Sequence, residues 1–398
     1  MSRFFDLVSK PAREMSSAVP SPTERNGFEH PPLIKLDSNE NPFGPSPRAL
    51  EAMRRALITS HLYPDDDCRR LRLKLAAHHG VPLEQVLVTA GSTAMLALLC
   101  QTLLGPGLNA VTSERSFVVY SMAVHATGAR LIEVPMCENT YDLDAILSSI
   151  DANTRIVFLA NPNNPTGTMV TAETVERFLA QVPAHLVVVL DEAYYEFASH
   201  FAALRRVNYS NSLEYVRHGA SVVVLRTFSK AHGLAGLRVG YGVGPAELLG
   251  YCARMRNTYS VPSVAQTAAI EALDDAEHTQ RVAESNAVQS RFLAQELTGV
   301  GFHVAPTSAN FLYCDVGEDA SAFAGRLREE GVAVRPMGAW GAPGCIRVTI
   351  GRPEQNRIFV EALKRVKAQN SANGTQRTRT SDPSTPFPFP GGNAKISG

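Results

Sequence analysis

The sequence predicts an α/β protein: a large domain on a mainly parallel, doubly wound sheet, followed by a smaller α+β domain. Three observations carry this. Short β-branched runs alternate with helical stretches through the middle of the chain, as repeated βα units do. The runs at 186–190 (LVVVL) and 221–225 (SVVVL) are apolar without alternation, which suits strands covered on both faces of a parallel sheet. After about residue 273 the rhythm changes to one long helix followed by short strands and helices.

Taken in order, 86–88 reads as a strand and 93–104 as a buried helix; 130–134 as a strand and 142–150 as a helix; 155–160 as a strand and 172–181 as a helix. The strands at 186–190 and 221–225 follow. The smaller domain opens with a helix at 276–297, then strands at 302–305 and 310–314, a helix at 320–330, strands at 332–335 and 345–349, and a closing helix at 354–367. This gives an irregular N-terminal arm (1–32), a large domain (33–273) with residues near 33–60 contributing to the small one, a small domain (274–368), and a tail (369–398). The tail is rich in Ser, Thr, Pro and Gly and is expected to be disordered, because it holds little apolar surface to bury.

Bulk properties narrow the function. A chain of 398 residues, 44% hydrophobic and 19% charged, is long enough for a large and a small domain. Lys+Arg and Asp+Glu are both 38, so no basic surplus points to nucleic acid. The 6 cysteines are scattered without a C-x-x-C pair, which favours free thiols over a disulfide framework and gives no metal motif. No signal-type apolar stretch opens the chain, and the apolar run 94–104 is too short for a bilayer, so a cytoplasmic, membrane-free protein is expected.

In doubly wound sheets ligands sit at the carboxyl ends of the strands, so the loops there come first. After 86–88, Gly91, Ser92 and Thr93 open a helix whose free N–H groups could hold a phosphate; an ordinary βα turn looks the same. After 155–160 comes Asn161-Pro162-Asn163-Asn164-Pro165-Thr166-Gly167, a constrained loop offering side-chain amides. After 186–190 stands Asp191, either a helix cap or the partner of a buried cationic ligand, since a carboxylate there is costly without one. After 221–225 come Thr227, Ser229 and Lys230, with Arg238 further on: hydroxyls, an amine and a guanidinium that could meet on one phosphate. Together these are the protein parts that run pyridoxal phosphate as an electron sink.

The chain resembles fold-type I aminotransferases, and within them the histidinol-phosphate aminotransferase branch. The likeness rests on LDSNENPFG (36–44), Tyr63-Pro64-Asp65, the Gly91-Ser92-Thr93 turn, the 161–167 loop, the Asp191–Tyr194 stretch, Thr227 through Lys230 with Arg238, ANFL (309–312) and IRVTIG (346–351). It spans roughly residues 33–367 and implies an aspartate aminotransferase-like fold, pyridoxal 5'-phosphate as cofactor and a homodimer. By resemblance, Lys230 is the Schiff-base lysine and moves the proton between the substrate Cα and the cofactor's C4′. Asp191 pairs with the pyridine nitrogen; Asn164 and Tyr194 bond the ring hydroxyl oxygen; Phe117 stacks on the ring. Ser92, Thr93, Thr227, Ser229 and Arg238 hold the phosphate, and Tyr63 reaches the phosphate of the neighbouring subunit. Arg347 binds the anionic end of the substrate, with Asn164 beside it; Arg335, also at a strand end, either joins it for a substrate phosphate or makes a surface ion pair.

The chain departs from the branch at Thr93-Ala94, at Arg115-Ser116 and along 256–262. The expected reaction is L-histidinol phosphate plus 2-oxoglutarate giving imidazole acetol phosphate and L-glutamate, a step of histidine biosynthesis. The alternatives are an aromatic amino acid aminotransferase, a decarboxylase of a phosphorylated amino acid, and, from another class, a non-catalytic regulator.

Overall fold

The computed structural model describes residues 5, 7–14 and 33–377. Its strands, in chain order, are β1 (Ile34–Leu36), β2 (Val86–Thr89), β3 (Asn109–Ser113), β4 (Arg130–Val134), β5 (Thr154–Ala160), β6 (Val187–Asp191), β7 (Val222–Thr227), β8 (Gly240–Val243), β9 (His303–Val304), β10 (Phe311–Asp315), β11 (Val332–Pro336) and β12 (Cys345–Thr349).

The larger sheet has 7 strands in the order β2-β8-β7-β6-β5-β3-β4, parallel except for β8, which runs antiparallel to both neighbours. The expected doubly wound sheet is present. Its central strands are apolar on both faces because helices cover both: Val189, Val224, Leu225 and Phe158 are all at 0% exposure. The crossover geometry brings several carboxyl ends side by side. Ala160 pairs with Asp191, and Asp191 with Leu225. On the other side Gly240 of β8 stands between Thr89 and Thr227.

The smaller sheet has 5 strands in the order β1-β11-β12-β10-β9. Strand β1, from the N-terminal part of the chain, pairs parallel with β11. Of the stretch 33–60, only this strand enters the smaller sheet. The helix Pro47–Ala56, capped by Ser46 accepting from the Ala49 N–H, packs on the helix Ser263–Leu273 instead. The crossing of the chain at 37–46 therefore ties the two sheets together.

Three strands were not expected: β1, only 3 residues long, and two longer ones. β8 reads GYGV, and its glycines hide it from a β-propensity reading. They are needed: a Cβ at Gly240 would lie 2.5 Å from the Ser92 nitrogen. β3 reads NAVTS, with polar ends that look like loop, yet it is buried throughout. The closing helix also differs from expectation. It runs Pro353–Arg377, so residues 369–377 of the expected tail continue it. Extending an existing helix fixes one residue per hydrogen bond gained, which polar residues tolerate. The remainder of the tail, 378–398, and most of the expected arm lie outside the described residues; within the arm Lys10–Glu14 forms a short helix.

Candidate active site

A cavity of about 450 Å³ opens where the carboxyl ends of β2, β5, β6 and β7 meet the smaller sheet. Its walls include Ser92, Thr93, Phe117, Asn164, Asp191, Tyr194, Thr227, Ser229, Lys230, Arg238, Arg335 and Arg347, so these sequence-selected residues share one space. Tyr63 is the exception. It is 82% exposed, and its ring stacks on Tyr259 at 4.6 Å between centroids.

One end of the cavity is an anion cradle. The helix Ser92–Leu103 begins after Gly91, whose φ of +78° only glycine adopts freely, and no side chain caps its first N–H groups. A Cβ at Gly91 would lie 2.6 Å from an Arg238 guanidinium nitrogen, so the glycine lets that cation close over the helix start. Arg238 donates to Ser229 Oγ at 3.3 Å, and Thr227 Oγ1 donates to the same oxygen at 3.0 Å. A helix start, hydroxyls and a guanidinium converge as an anion requires.

Asp191 closes the deep end. Burial pushes its carboxyl up to about 6, against hydrogen bonds from the Tyr120 hydroxyl (2.9 Å) and the Ala193 N–H (3.3 Å) that favour the anion. A cationic ring nitrogen there would restore the charge balance. Lys230 lies across the cavity. Burial first, then the Arg347 and Arg238 cations, hold its amine down at about 7. Its Nζ donates to the Asn39 carbonyl at 3.1 Å.

Facing these is a pair of arginines. Arg347 donates to Asn164 Oδ1 at 2.6 Å and to the Asp37 carbonyl at 2.9 Å, while Arg335 donates to that same carbonyl at 3.2 Å. Arg347 Nε is buried with no partner. Burial lowers the Arg347 guanidinium to about 10, which leaves it a cation at neutral pH.

A sequence profile for the aminotransferase class I and II family matches residues 31–363. The chain belongs to that family. It is 42% identical to the histidinol-phosphate aminotransferase of Akkermansia muciniphila, over 84% of this chain and 90% of that one. It is 44% identical to a histidinol-phosphate aminotransferase of Pseudomonas fluorescens, over 85% and 90%. Among solved structures, the histidinol-phosphate aminotransferase of Sinorhizobium meliloti in complex with pyridoxal-5'-phosphate superposes with a TM-score of 0.79 at 29% identity, covering 85% of this chain and 92% of that one. A Thermus thermophilus aspartate aminotransferase mutant superposes at 0.77 with 26% identity, over 90% and 99%. The fold is aspartate aminotransferase-like, and the protein is an aminotransferase.

The cavity of this aminotransferase fits pyridoxal 5'-phosphate on its own geometry. It offers an anion cradle, a buried carboxylate, an amine and, in Phe117, an aromatic side wall. The asparagines of the 161–167 loop divide their work. Asn161 braces the loop by exchanging hydrogen bonds with Val170 at 3.0 Å, Asn163 donates to Thr166 Oγ1 at 2.9 Å, and Asn164 faces the cavity.

Several residues of the site were not singled out from the sequence. Tyr120, fully buried and stacked on Phe158 at 4.7 Å, supplies the hydroxyl on Asp191. One helical turn past Phe117, it reads in sequence as core. Ser38, Asn39 and Glu40 line the cavity, brought there by the crossing of the chain between the sheets. Their place in the 36–44 motif was the available signal. Behind Asp191, Glu192 and Arg226 form a buried ion pair at 2.9 Å.

Among the described residues no His/Cys/Asp/Glu cluster could hold a metal, and no helix is long and apolar enough to cross a membrane.

Proposed function

We propose that this aminotransferase transfers the amino group of L-histidinol phosphate to 2-oxoglutarate. The observation that carries the reading is the arginine pair. Arg335 and Arg347 stand directly opposite each other on β11 and β12, and both line the cavity. Like charges opposed across a sheet are unfavourable by themselves, so the pair is arranged for an anion. A phosphate dianion, or the carboxylates of glutamate and 2-oxoglutarate in turn, matches it.

When bound, pyridoxal 5'-phosphate supplies a conjugated ring that accepts the electron pair of the donor's Cα–H bond. Ser92, Thr93, Thr227, Ser229 and Arg238 would hold its phosphate, Asp191 its ring nitrogen, and Asn164 and Tyr194 its ring hydroxyl oxygen, with Phe117 against its face. Asp191, whose buried carboxyl is pushed up to about 6, would as an anion keep the ring nitrogen protonated. Lys230, with an amine near 7, is neutral often enough at physiological pH to take the proton from Cα and return it at C4′. Arg347 and Arg335 orient the donor so that its Cα–H faces that amine. Tyr63, exposed and not part of its own cavity's lining, would serve the phosphate site of a second subunit in a homodimer. The large and small domains proposed at 33–273 and 274–368 follow the two sheets, with β1 crossing between them.

The experiment is a single-turnover half-reaction on the cofactor-loaded protein, following the cofactor's absorbance. Fast conversion with L-histidinol phosphate and with L-glutamate, but not with L-phenylalanine, is expected. Preference for phenylalanine would overturn the substrate while leaving the transamination chemistry standing.

A further inference from the structure

Asn39 is 1% exposed with φ at +55°, a backbone state that asparagine tolerates better than most residues. It touches both halves of the molecule. Its N–H donates to Thr349 Oγ1 at 2.9 Å, and the Thr349 hydroxyl donates to Asn39 Oδ1 at 3.2 Å. Its Nδ2 donates to the Tyr194 hydroxyl oxygen at 3.0 Å. Its carbonyl accepts from Lys230 Nζ and from Asn310 Nδ2, each at 3.1 Å.

The hydroxyl of Thr349 fixes which way the Asn39 amide faces. A threonine hydroxyl has a single proton. Its oxygen accepts from the Asn39 N–H, and Asn39 Oδ1, 3.2 Å away, is the acceptor its proton meets. The amide oxygen is thereby committed to Thr349, and the NH₂ group is left for Tyr194. Tyr194 is 4% exposed, and its oxygen accepts from Asn39. Its own proton must then point elsewhere, and the side chain lines the cavity.

We infer that Asn39 is a positioning residue that commits the Tyr194 hydroxyl to donating toward the cofactor's ring hydroxyl oxygen, with Thr349 setting the orientation of the Asn39 amide. The inference rests on the reading above that Tyr194 faces that oxygen. A donated hydrogen bond favours the oxygen's anionic form and so eases loss of the neighbouring proton of the lysine–cofactor linkage. Without Asn39 the Tyr194 hydroxyl is free to turn, and that proton is held more tightly.

The test is a pH titration of the visible absorbance of the cofactor-loaded protein, with cofactor affinity measured alongside. Tyr194→Phe is expected to move the midpoint up. Asn39→Ala should move it up by about 0.5–1 unit, the size of one hydrogen bond. Asn39→Gly, which accepts the positive φ without strain, should do the same if the alanine variant folds poorly. Both variants retain the backbone carbonyl that Lys230 uses, so they isolate the side chain. Thr349→Val should shift the midpoint in the same direction, and Thr349→Ser should restore it. In a Tyr194→Phe background, Asn39→Ala should add no further shift. An unmoved midpoint in both Asn39 variants, or a full shift without Tyr194, overturns the inference. An unmoved midpoint in Tyr194→Phe overturns the placement of Tyr194 itself, and the inference with it.

Discussion

Arg335 and Arg347 are cross-strand partners that share one acceptor, the Asp37 carbonyl, yet differ in how they are enclosed. Arg347 is 6% exposed and also bonds Asn164, whereas Arg335 has only partial cover. The pair should therefore divide its labour. Arg335→Ala is expected to raise KM for L-histidinol phosphate about 10- to 100-fold, as loss of a hydrogen bond to a charged group implies. KM for L-glutamate should move far less. Arg347→Ala should impair both half-reactions. Steady-state kinetics with each donor check this, and equal effects of Arg335→Ala on both donors would remove its assignment to the phosphate.

Lys230 is the amine proposed to move the proton. Lys230→Ala is expected to lower the half-reaction rate with L-glutamate by at least about 10²–10⁴-fold, the share that a positioned acid–base group contributes. The variant should also lose the cofactor adduct that borohydride reduction traps in the unaltered protein, read as a mass increase. Full turnover in the variant would sink the mechanism.

Asp191, proposed to pair with the cofactor's ring nitrogen, carries a stability cost from its burial. Its folded carboxyl titrates near 6, above its ordinary value of 3.8, because it is buried. Between those values the folded state holds more protons than the unfolded state, so stability falls as pH rises through that window. By about 2 units the loss is complete, of order 3 kcal/mol. Cofactor-free Asp191→Asn should accordingly melt several degrees above cofactor-free wild type at pH 7–8, the gap closing toward pH 4. Calorimetry at both pH values checks it. The same substitution should abolish transamination, since an amide cannot keep the ring nitrogen protonated.

The doubly wound sheet was legible because LVVVL and SVVVL are apolar without alternation, which few structures other than a buried parallel strand explain. The loops that end those strands followed, and with them Asp191, Thr227, Ser229, Lys230 and Arg238, whereas Phe117, Tyr194 and Arg347 of the same cavity came only by resemblance. β8 was not legible: its glycines are set by how closely it approaches the Ser92 helix start, a contact between elements far apart in sequence. Asn39 was not legible for the same reason. The 36–44 motif names the residue, but its work depends on Thr349 and Tyr194, which only the folded chain brings to it. Tyr120 looked like core and is core; its hydroxyl alone reaches Asp191.

Tyr63 gains its meaning from what surrounds it. Leu57, Ile58 and Leu62, near it in sequence, are 57%, 80% and 59% exposed; Tyr259, stacked on its ring, and Met255 are 47% and 51% exposed. Large apolar side chains left open in this way are where a second copy is expected to sit. The loop that presents it is itself held in place, because Asp66 takes two hydrogen bonds from Arg256, at 3.0 and 2.8 Å. A rigid, apolar, outward-facing tyrosine suits delivery of a hydroxyl to a site on a second copy. The protein should therefore run as a dimer in sedimentation velocity. Tyr63→Phe should leave that dimer intact while weakening cofactor affinity about tenfold or more, the effect of losing one hydrogen bond to a phosphate. Ile58→Asp, which buries a charge in the contact, should shift the protein toward monomer and reduce cofactor retention with it. A fully active monomer would separate Tyr63 from the phosphate site altogether.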